Sequence, residues 1–210
     1  MDIRAKVAAI TKRLGKEYPD PRIELHFNSP FEVLVATILS AQTTDAHVNR
    51  VTPVLFRKYR SVKDYAAVPL ETLQKDLSSI NFFNTKARNI KASAEMILRE
   101  FNGTIPTSME ELIRLPGVAR KTANIVLSTV YGINEGIAVD THVKRLAGRL
   151  GLTAFDDPVR IEKDLMKAAP QKDWARLSHL LIYHGRRVCQ ARKPNHQECV
   201  LADICPSRDI

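Results

Sequence analysis

Apolar residues recur three and four positions apart along most of the chain, which is the spacing that places them on one face of an α-helix. Proline and glycine fall between these runs, where helices are expected to end, and no alternating run with hairpin turn signals occurs. The sequence therefore predicts an all-α fold of about ten short helices. The helical runs include Val7, Ile10 and Leu14; Val33, Leu34, Thr37 and Ile38; and Val48, Val51, Leu55 and Phe56.

Helix starts are marked by residues that can satisfy the backbone N–H groups of a first turn. Ser61 with Asp64, and Thr107 with Glu110, have the interval of a capping box. The Ser29-Pro30 pair is typical of an N-cap followed by proline at the first helical position. We expect one helix to begin after each of these caps.

The charge of the chain favours a polyanionic partner. The 210 residues include 32 Lys and Arg and 23 Asp and Glu, which gives a net charge of +9. A generally basic protein without such a partner is the alternative. No apolar stretch approaches the roughly 20 residues of a membrane span, and the charged N-terminal residues are not followed by the apolar segment of a secretory signal. We therefore expect a cytoplasmic protein.

Residues 112–128 predict two helices joined by a tight hairpin. The first helix is opened by the Thr107 cap and runs into Leu115, and Pro116-Gly117 stops it. The second begins near Arg120 and carries an apolar face. A helix N-terminus of this kind binds a phosphate through its backbone N–H groups and its dipole, without reading base sequence. An ordinary corner between two helices is the alternative, because Pro-Gly is common there.

The three cysteines are clustered near the C-terminal end, at Cys189, Cys199 and Cys205, with His196 among them. An odd, clustered set suits metal ligation better than a disulfide framework. Three thiols and an imidazole on polar turns predict a metal or iron–sulfur site. Zinc bound by three cysteines and one histidine also fits these residue types.

Two further segments accompany the hairpin, which reads Leu115-Pro116-Gly117-Val118-Ala119-Arg120-Lys121-Thr122-Ala123. One is Val139-Asp140-Thr141-His142, before a predicted helix, and the other is Leu39-Ser40-Ala41-Gln42, at the end of one. Together these motifs resemble the helix-hairpin-helix DNA glycosylases of base excision repair, specifically the endonuclease III family. The resemblance spans residues 23–205, with its motifs in family order.

The resemblance implies a helix-hairpin-helix DNA glycosylase fold, with two helical lobes flanking a DNA-binding cleft. Residues 23–133 would form a six-helix barrel-type lobe that contains the hairpin, and residues 1–22 with 134–210 would form the second lobe. One departure is Ala119, where the family usually has a second glycine. If Ala119 needed a left-handed conformation, the alanine would cost about 1–2 kcal/mol.

The resemblance also implies a catalytic pair. In the family, the lysine of the hairpin is the nucleophile, and the aspartate of the Val-Asp-Thr-His segment acts with it; these positions are Lys121 and Asp140 here. A helix N-terminus, desolvation and the neighbouring Arg120 would favour a neutral amine at Lys121. From the residues alone, a solvated or phosphate-binding lysine and a helix-capping aspartate are the alternatives.

Residues that contact DNA follow from the same resemblance. The family's glutamine after Leu-Ser-Ala fills the gap left by an extruded nucleotide, which makes Gln42 the candidate plug. Phe82 stands where the family often has an aliphatic wedge for the opposite strand. A buried cap network for Gln42 and a core position for Phe82 are the alternatives. The predicted phosphate contacts are Gly117, Ala119, Arg120, Arg192 and Lys193.

The family carries a [4Fe–4S] cluster on four cysteines with the spacing C-x6-C-x2-C-x5-C. With Cys189 first, the spacing is kept, but the second ligand position is His196. Imidazole nitrogen can ligate iron, so three thiolates and one imidazole are feasible. Zinc or a three-iron cluster is the alternative.

By this resemblance, the chain would be a bifunctional DNA glycosylase and abasic-site lyase that removes oxidised pyrimidines from double-stranded DNA and acts as a monomer. In a bacterial or archaeal cell it would be associated with the nucleoid through DNA. Lys121 would form a Schiff base, and β-elimination would nick the strand. A related adenine glycosylase lacks the hairpin lysine and carries a further C-terminal domain. A helix-hairpin-helix protein that binds DNA without catalysis is the other alternative, and the presence of both Lys121 and Asp140 argues against it.

Overall fold

The computed structural model describes residues 2–208, which are helical and contain no strand. This confirms the predicted all-α fold. Three short 3-10 helices lie among residues 171–204. The α-helices are α1 (Ile3–Glu17), α2 (Pro30–Ser40), α3 (Asp45–Lys58), α4 (Val62–Ala67), α5 (Leu70–Asp76), α6 (Phe83–Glu100), α7 (Met109–Leu112), α8 (Arg120–Tyr131), α9 (Thr141–Arg149), α10 (Pro158–Ala168) and α11 (Trp174–Arg187).

The chain divides into two compact units. The central unit is Glu24–Ile133, with helices α2 to α8, and the terminal unit joins Met1–Ile23 to Asn134–Ile210. The terminal unit therefore contains α1 and α9 to α11, which come from both ends of the sequence. In the described residues, no helix has the length and apolar content needed to cross a membrane.

Helix α2 is the core of the central unit. Every residue from Phe31 to Leu39 is buried except Glu32, and α3, α6 and α8 pack against it. Its start is the predicted one: Ser29 Oγ accepts a hydrogen bond from the backbone N–H of Glu32 at 3.2 Å, and Pro30 occupies the first turn. A helix that is apolar on nearly all sides has to be enclosed by other helices, which orders the rest of this unit around α2.

The terminal unit has its own core, in which α1 packs against α10 and α11, and α9 against α10 and α11. The buried side chains are supplied by both segments of the chain. They include Val7, Ile10, Leu14, Val143, Leu146, Ile161, Leu165, Leu177, Leu180, Leu181 and Leu201.

Two capping predictions have different outcomes. The capping box of Ser61 with Asp64 is present. The predicted Thr107–Glu110 box is wrong: the N-cap is Ser108, whose Oγ accepts from the backbone N–H of Glu111 at 3.3 Å and donates to its carboxylate at 2.9 Å. Thr107 and Ser108 are both competent caps, so composition alone does not choose between them. The Ser108 register begins the helix so that its first and last residues, Met109 and Leu112, are both buried.

The helix before the hairpin is shorter than predicted. It ends at Leu112, and tight turns replace the expected helix up to Leu115. Backbone hydrogen bonds of 3.2 Å from Arg114 to Glu111 and 3.1 Å from Leu115 to Leu112 span three residues instead of four. This geometry is typical of a chain that tightens before leaving a helix.

The hairpin is held on α6. Ser93 Oγ donates a 2.8 Å hydrogen bond to the carbonyl of Pro116. Gly117 has a φ of +80°, and a Cβ placed on it would lie 2.6 Å from Asn89 Nδ2. Ala119 has φ −90° and ψ 168°, which is extended backbone. The possible left-handed cost at Ala119 therefore does not arise, and Gly117 is the position that needs glycine.

We predict that Gly117→Ala destabilises the protein more than Gly132→Ala does. Both residues have positive φ, so each alanine costs about 1–2 kcal/mol. Nothing lies within 4 Å of a Cβ at Gly132, whereas Asn89 blocks one at Gly117. Chemical denaturation should show the larger loss in the free energy of unfolding for Gly117→Ala. Equal losses of stability would contradict the role of the Asn89 contact.

Candidate functional site

The N-terminus of α8 lacks a capping side chain. Its N-cap is Ala119, whose methyl group cannot accept a hydrogen bond from the first turn. Lys121 is the second residue of this helix, and its side chain is exposed. An uncapped first turn beside a cationic side chain is a suitable place for an anion. Because Lys121 is exposed, the protein does not itself supply the desolvation that we expected around the amine.

Asp140 caps α9. Its Oδ1 accepts from the backbone N–H of Val143 at 2.8 Å, and its carboxylate is half-buried. The segment before it is fixed from α11, where the buried Ser178 donates a 2.7 Å hydrogen bond to the carbonyl of Ala138. Asp140 is thus a helix cap, as its sequence context indicates. A capping role leaves the carboxylate rigidly placed, which is compatible with a chemical role.

The structure brings the Gln42 and Phe82 loops together within the central unit. Asn81 Nδ2 donates a 2.7 Å hydrogen bond to the carbonyl of Gln42. Gln42 and Phe82 are both exposed and both have positive φ, at 54° and 57°. Phe82 is 63% exposed, so the alternative that it is a core residue is wrong, whereas Phe83 is half-buried. Positive φ is uncommon for residues other than glycine and indicates that surrounding contacts impose the conformation.

Lys86 binds the end of α2 next to Gln42, and the sequence analysis did not identify it. Its side chain is 5% exposed, and its ammonium donates to the carbonyls of Leu39 and Ala41 at 2.8 and 2.6 Å and to Thr43 Oγ1 at 3.1 Å. Burial lowers the pKa of Lys86 to about 8. The sequence feature that could have identified Lys86 is its position four residues before Ile90, on the apolar face of α6. A lysine on such a face must find acceptors or be excluded from the core.

The three cysteines lie half-buried against the core of the terminal unit. Arg149 Nη1 donates to Cys189 Sγ at 3.3 Å, and His184 Nε2 lies 3.4 Å from Cys199 Sγ. Burial raises the pKa of the Cys199 thiol, and the nearby negative charges of Cys189 and Cys205 raise it further. The Cys199 sulfur therefore lies within the electrostatic reach of the other two cysteines, and a bound cation would stabilise a thiolate at this half-buried position.

His196 has an imidazole nitrogen that needs a partner. Its Nε2 is buried and has no hydrogen-bond partner among residues 2–208. Buried polar atoms are normally paired, so an unpaired one indicates that something else occupies its lone pair or proton. Three half-buried thiols and one unpartnered imidazole nitrogen are donor types that a metal group can use. Within residues 2–208, no three His, Cys, Asp or Glu side chains already form a cage for a single metal ion.

The loop after Cys189 presents two exposed cations, Arg192 and Lys193. Arg149 fixes its base through 2.8 Å hydrogen bonds to the carbonyls of residues 190 and 191. The backbone N–H of Asn195 closes the loop on Val188 at 2.9 Å. Rigid cations of this kind suit a phosphate backbone.

Two families match the chain. Residues 35–171 match the "HhH-GPD superfamily base excision DNA repair protein" family, and residues 189–205 match the "iron-sulfur binding domain of endonuclease III". The chain is 53% identical to the endonuclease III of Synechocystis sp., over 92% of this chain and 89% of that protein. It is 37% identical to that of Escherichia coli K12, over 98% and 97%. The chain belongs to the endonuclease III family.

Solved structures agree with this assignment. A trapped endonuclease III–DNA covalent intermediate superimposes with a TM-score of 0.94 at 44% identity, covering 99% of this chain and 98% of that one. A thermostable thymine-DNA glycosylase, at 22% identity and a TM-score of 0.86, shares the fold. As an endonuclease III, the chain is a DNA-binding enzyme with glycosylase and abasic-site lyase activity, and it carries the family's [4Fe–4S] domain.

Proposed function

We propose that Lys121 is the nucleophile of this endonuclease III and that Asp140 assists it, on oxidised pyrimidines in double-stranded DNA. The observation that carries the proposal is an exposed lysine in the uncapped first turn of α8, directly after a hairpin that Gly117 and Ser93 hold in place. The half-buried, fixed carboxylate of Asp140 supports it. An adenine glycosylase would have no use for this lysine.

The chemistry divides into displacement and elimination. Lys121 Nζ attacks C1′ of the damaged nucleotide, and the glycosidic bond breaks with its electron pair passing to the base, which takes up a proton. The attached amine then loses a proton, and its lone pair forms a double bond to C1′. The C1′–O4′ bond breaks, its electron pair passes to O4′, which takes up a proton, and a Schiff base at C1′ results. Loss of a proton from C2′ then expels the 3′ phosphate by β-elimination. Asp140 stabilises positive charge at C1′ and accepts a proton from the amine.

Bound DNA would complete the environment of the amine. Lys121 is exposed in the free protein, so exclusion of water from it depends on the nucleotide that enters. The backbone N–H groups of Gly117, Ala119 and Arg120 would hold a phosphate beside it, with Arg192 and Lys193 as further backbone contacts. Gln42 would fill the gap left by the extruded nucleotide, and Phe82 would wedge into the opposite strand. We propose that the protein acts on this DNA as a monomer.

We further propose that Cys189, His196, Cys199 and Cys205 hold the [4Fe–4S] cluster. The three half-buried thiols and the unpaired Nε2 of His196 support this ligand set. When bound, the cluster supplies a covalent cross-link between separate turns of the C-terminal segment. Residues Arg192 and Lys193 then stand on a loop that is tied at both ends, and none of these side chains takes part in cutting the glycosidic bond.

Lys121→Gln should abolish borohydride trapping of the protein on lesion DNA while the Kd for that DNA changes little. The glutamine amide cannot form a Schiff base, yet it still donates hydrogen bonds from a side chain that is only one bond shorter. Lys63→Gln is the matched control, because Lys63 is also an exposed lysine at the second position of a helix in the central unit. A Lys121→Gln protein that still traps at the wild-type rate would exclude this mechanism.

Asp140→Asn should lower the rate of base excision by about 100-fold or more, because the anion beside C1′ is lost. Its thermal midpoint should stay close to that of the wild type, because asparagine caps helices as well as aspartate does. Asp157→Asn is the control: Asp157 caps α10 through a 3.0 Å hydrogen bond from the N–H of Arg160. If the thermal midpoint of Asp140→Asn fell along with its activity, Asp140 would be mainly a structural residue.

His196→Ala should yield purified protein with a three-iron cluster or less iron, and His196→Cys should retain iron longer than the wild type during a chelator challenge. The alanine removes one ligand, whereas the cysteine adds a thiolate. Iron and sulfide analysis with electron paramagnetic resonance measures both, and His47→Ala in the central unit is the control. Zinc in the wild-type protein, or a four-iron cluster that His196→Ala leaves intact, would overturn the ligand assignment.

A further inference from the structure

A buried ammonium joins the two DNA-reading loops of the central unit. The Lys86 side chain has three acceptors at the C-terminal end of α2, namely the carbonyls of Leu39 and Ala41 and the hydroxyl of Thr43. Its own backbone N–H donates to the carbonyl of Phe82 at 3.1 Å. One residue therefore contacts the segment that carries the plug and the turn that carries the wedge.

The acceptors explain why a cation can be buried at this point. The last carbonyls of a helix have no partners within it and bear the negative end of its dipole. A protonated lysine has three N–H groups, and here each has one acceptor. The N–H donors of Lys86 and their oxygen acceptors pair with one another, so removal of the ammonium would leave several oxygens without a donor.

Gln42 lies between the residues that this ammonium binds. Ala41 precedes it and Thr43 follows it, and both contact Lys86, whereas the carbonyl of Gln42 itself accepts from Asn81. Its φ of 54° is a conformation that residues other than glycine seldom adopt unless their neighbours impose it. The contacts on either side of Gln42 supply that restraint.

We propose that Lys86 is a positioning residue that holds the backbone of Gln42 in its left-handed conformation, so that the Gln42 side chain is already aimed outward before DNA binds. The proposal rests on the plug role proposed above for Gln42. An ordered plug does not have to lose conformational freedom when it enters the gap, which favours extrusion of the damaged nucleotide. Lys86 itself is buried and contacts no DNA in this role.

The test compares Lys86→Met with Lys91→Met. Methionine keeps an unbranched apolar stem of similar length and deletes the ammonium. Lys91 is the matched control, because it lies on the same helix, is half-buried and donates to the carbonyl of Ala66, away from both loops. Amide hydrogen exchange of residues 41–44 should accelerate by about tenfold or more in Lys86→Met, as expected for the loss of a charge-assisted hydrogen bond. Lys91→Met should leave it unchanged.

Activity is measured on two substrates with the same proteins. Excision of a lesion paired in duplex DNA should fall by about tenfold in Lys86→Met, whereas cleavage of an abasic site in single-stranded DNA, which needs little extrusion, should stay within about twofold of the wild type. In a Gln42→Ala background, Lys86→Met should cause no further loss, because Lys86 acts through Gln42. Equal losses on both substrates, or additive losses in the double variant, would overturn the proposal and indicate a general structural role.

Two readouts separate this inference from the proposed function. If Gln42→Ala excised the paired lesion at the wild-type rate, the plug role would fail, and the functional consequence of Lys86 with it. If amide exchange in residues 41–44 of Lys86→Met matched the wild type, the positioning role of Lys86 would be excluded, and the plug role of Gln42 would stand. Should Lys86→Met not fold, Thr43→Val removes one acceptor with little change in volume, and it should shift both readouts in the same direction by a smaller factor.

Discussion

The ends of helices leave backbone groups without partners, and the residues for which we propose a function stand at such ends. At the N-terminus of α8, Ala119 provides no side-chain cap for the first turn. At the N-terminus of α9, the carboxylate of Asp140 is the cap. At the C-terminus of α2, the ammonium of Lys86 satisfies the carbonyls. Each solution places a charge, or a site for one, at a fixed position on a rigid element.

The two units hold their exposed turns in place by different interactions. In the central unit the enclosing helices bury α2 almost completely, and hydrogen bonds from Asn81, Lys86 and Ser93 fix the exposed turns against that core. In the terminal unit, residues 190–198 are mostly exposed, and the half-buried thiols on either side of them pack against the edge of the core. A metal group supplies there the cross-linking that packing cannot supply.

Sequence periodicity was enough for the helical class and for the start of α2, because both depend on local spacing and on caps. The cap at Ser108 was not predictable, since Thr107 and Ser108 are equivalent locally and the choice depends on which register buries Met109 and Leu112. Lys86 was missed for the converse reason. Its acceptors lie more than forty residues away in sequence, at the end of another helix, and no local sequence pattern predicts such contacts.

The terminal unit is built from two segments separated by the whole of Glu24–Ile133. Val7, Ile10 and Leu14 of α1 are buried with residues that follow position 136, and Arg13 pairs with Asp203. During synthesis, α1 leaves the ribosome long before these partners exist, whereas the central unit has all of its own residues in one continuous stretch. The central unit can therefore fold first, and the apolar face of α1 stays uncovered until the last helices emerge. Closure of the terminal unit is a long-range step, which makes it the slower part of folding and the stage most exposed to aggregation.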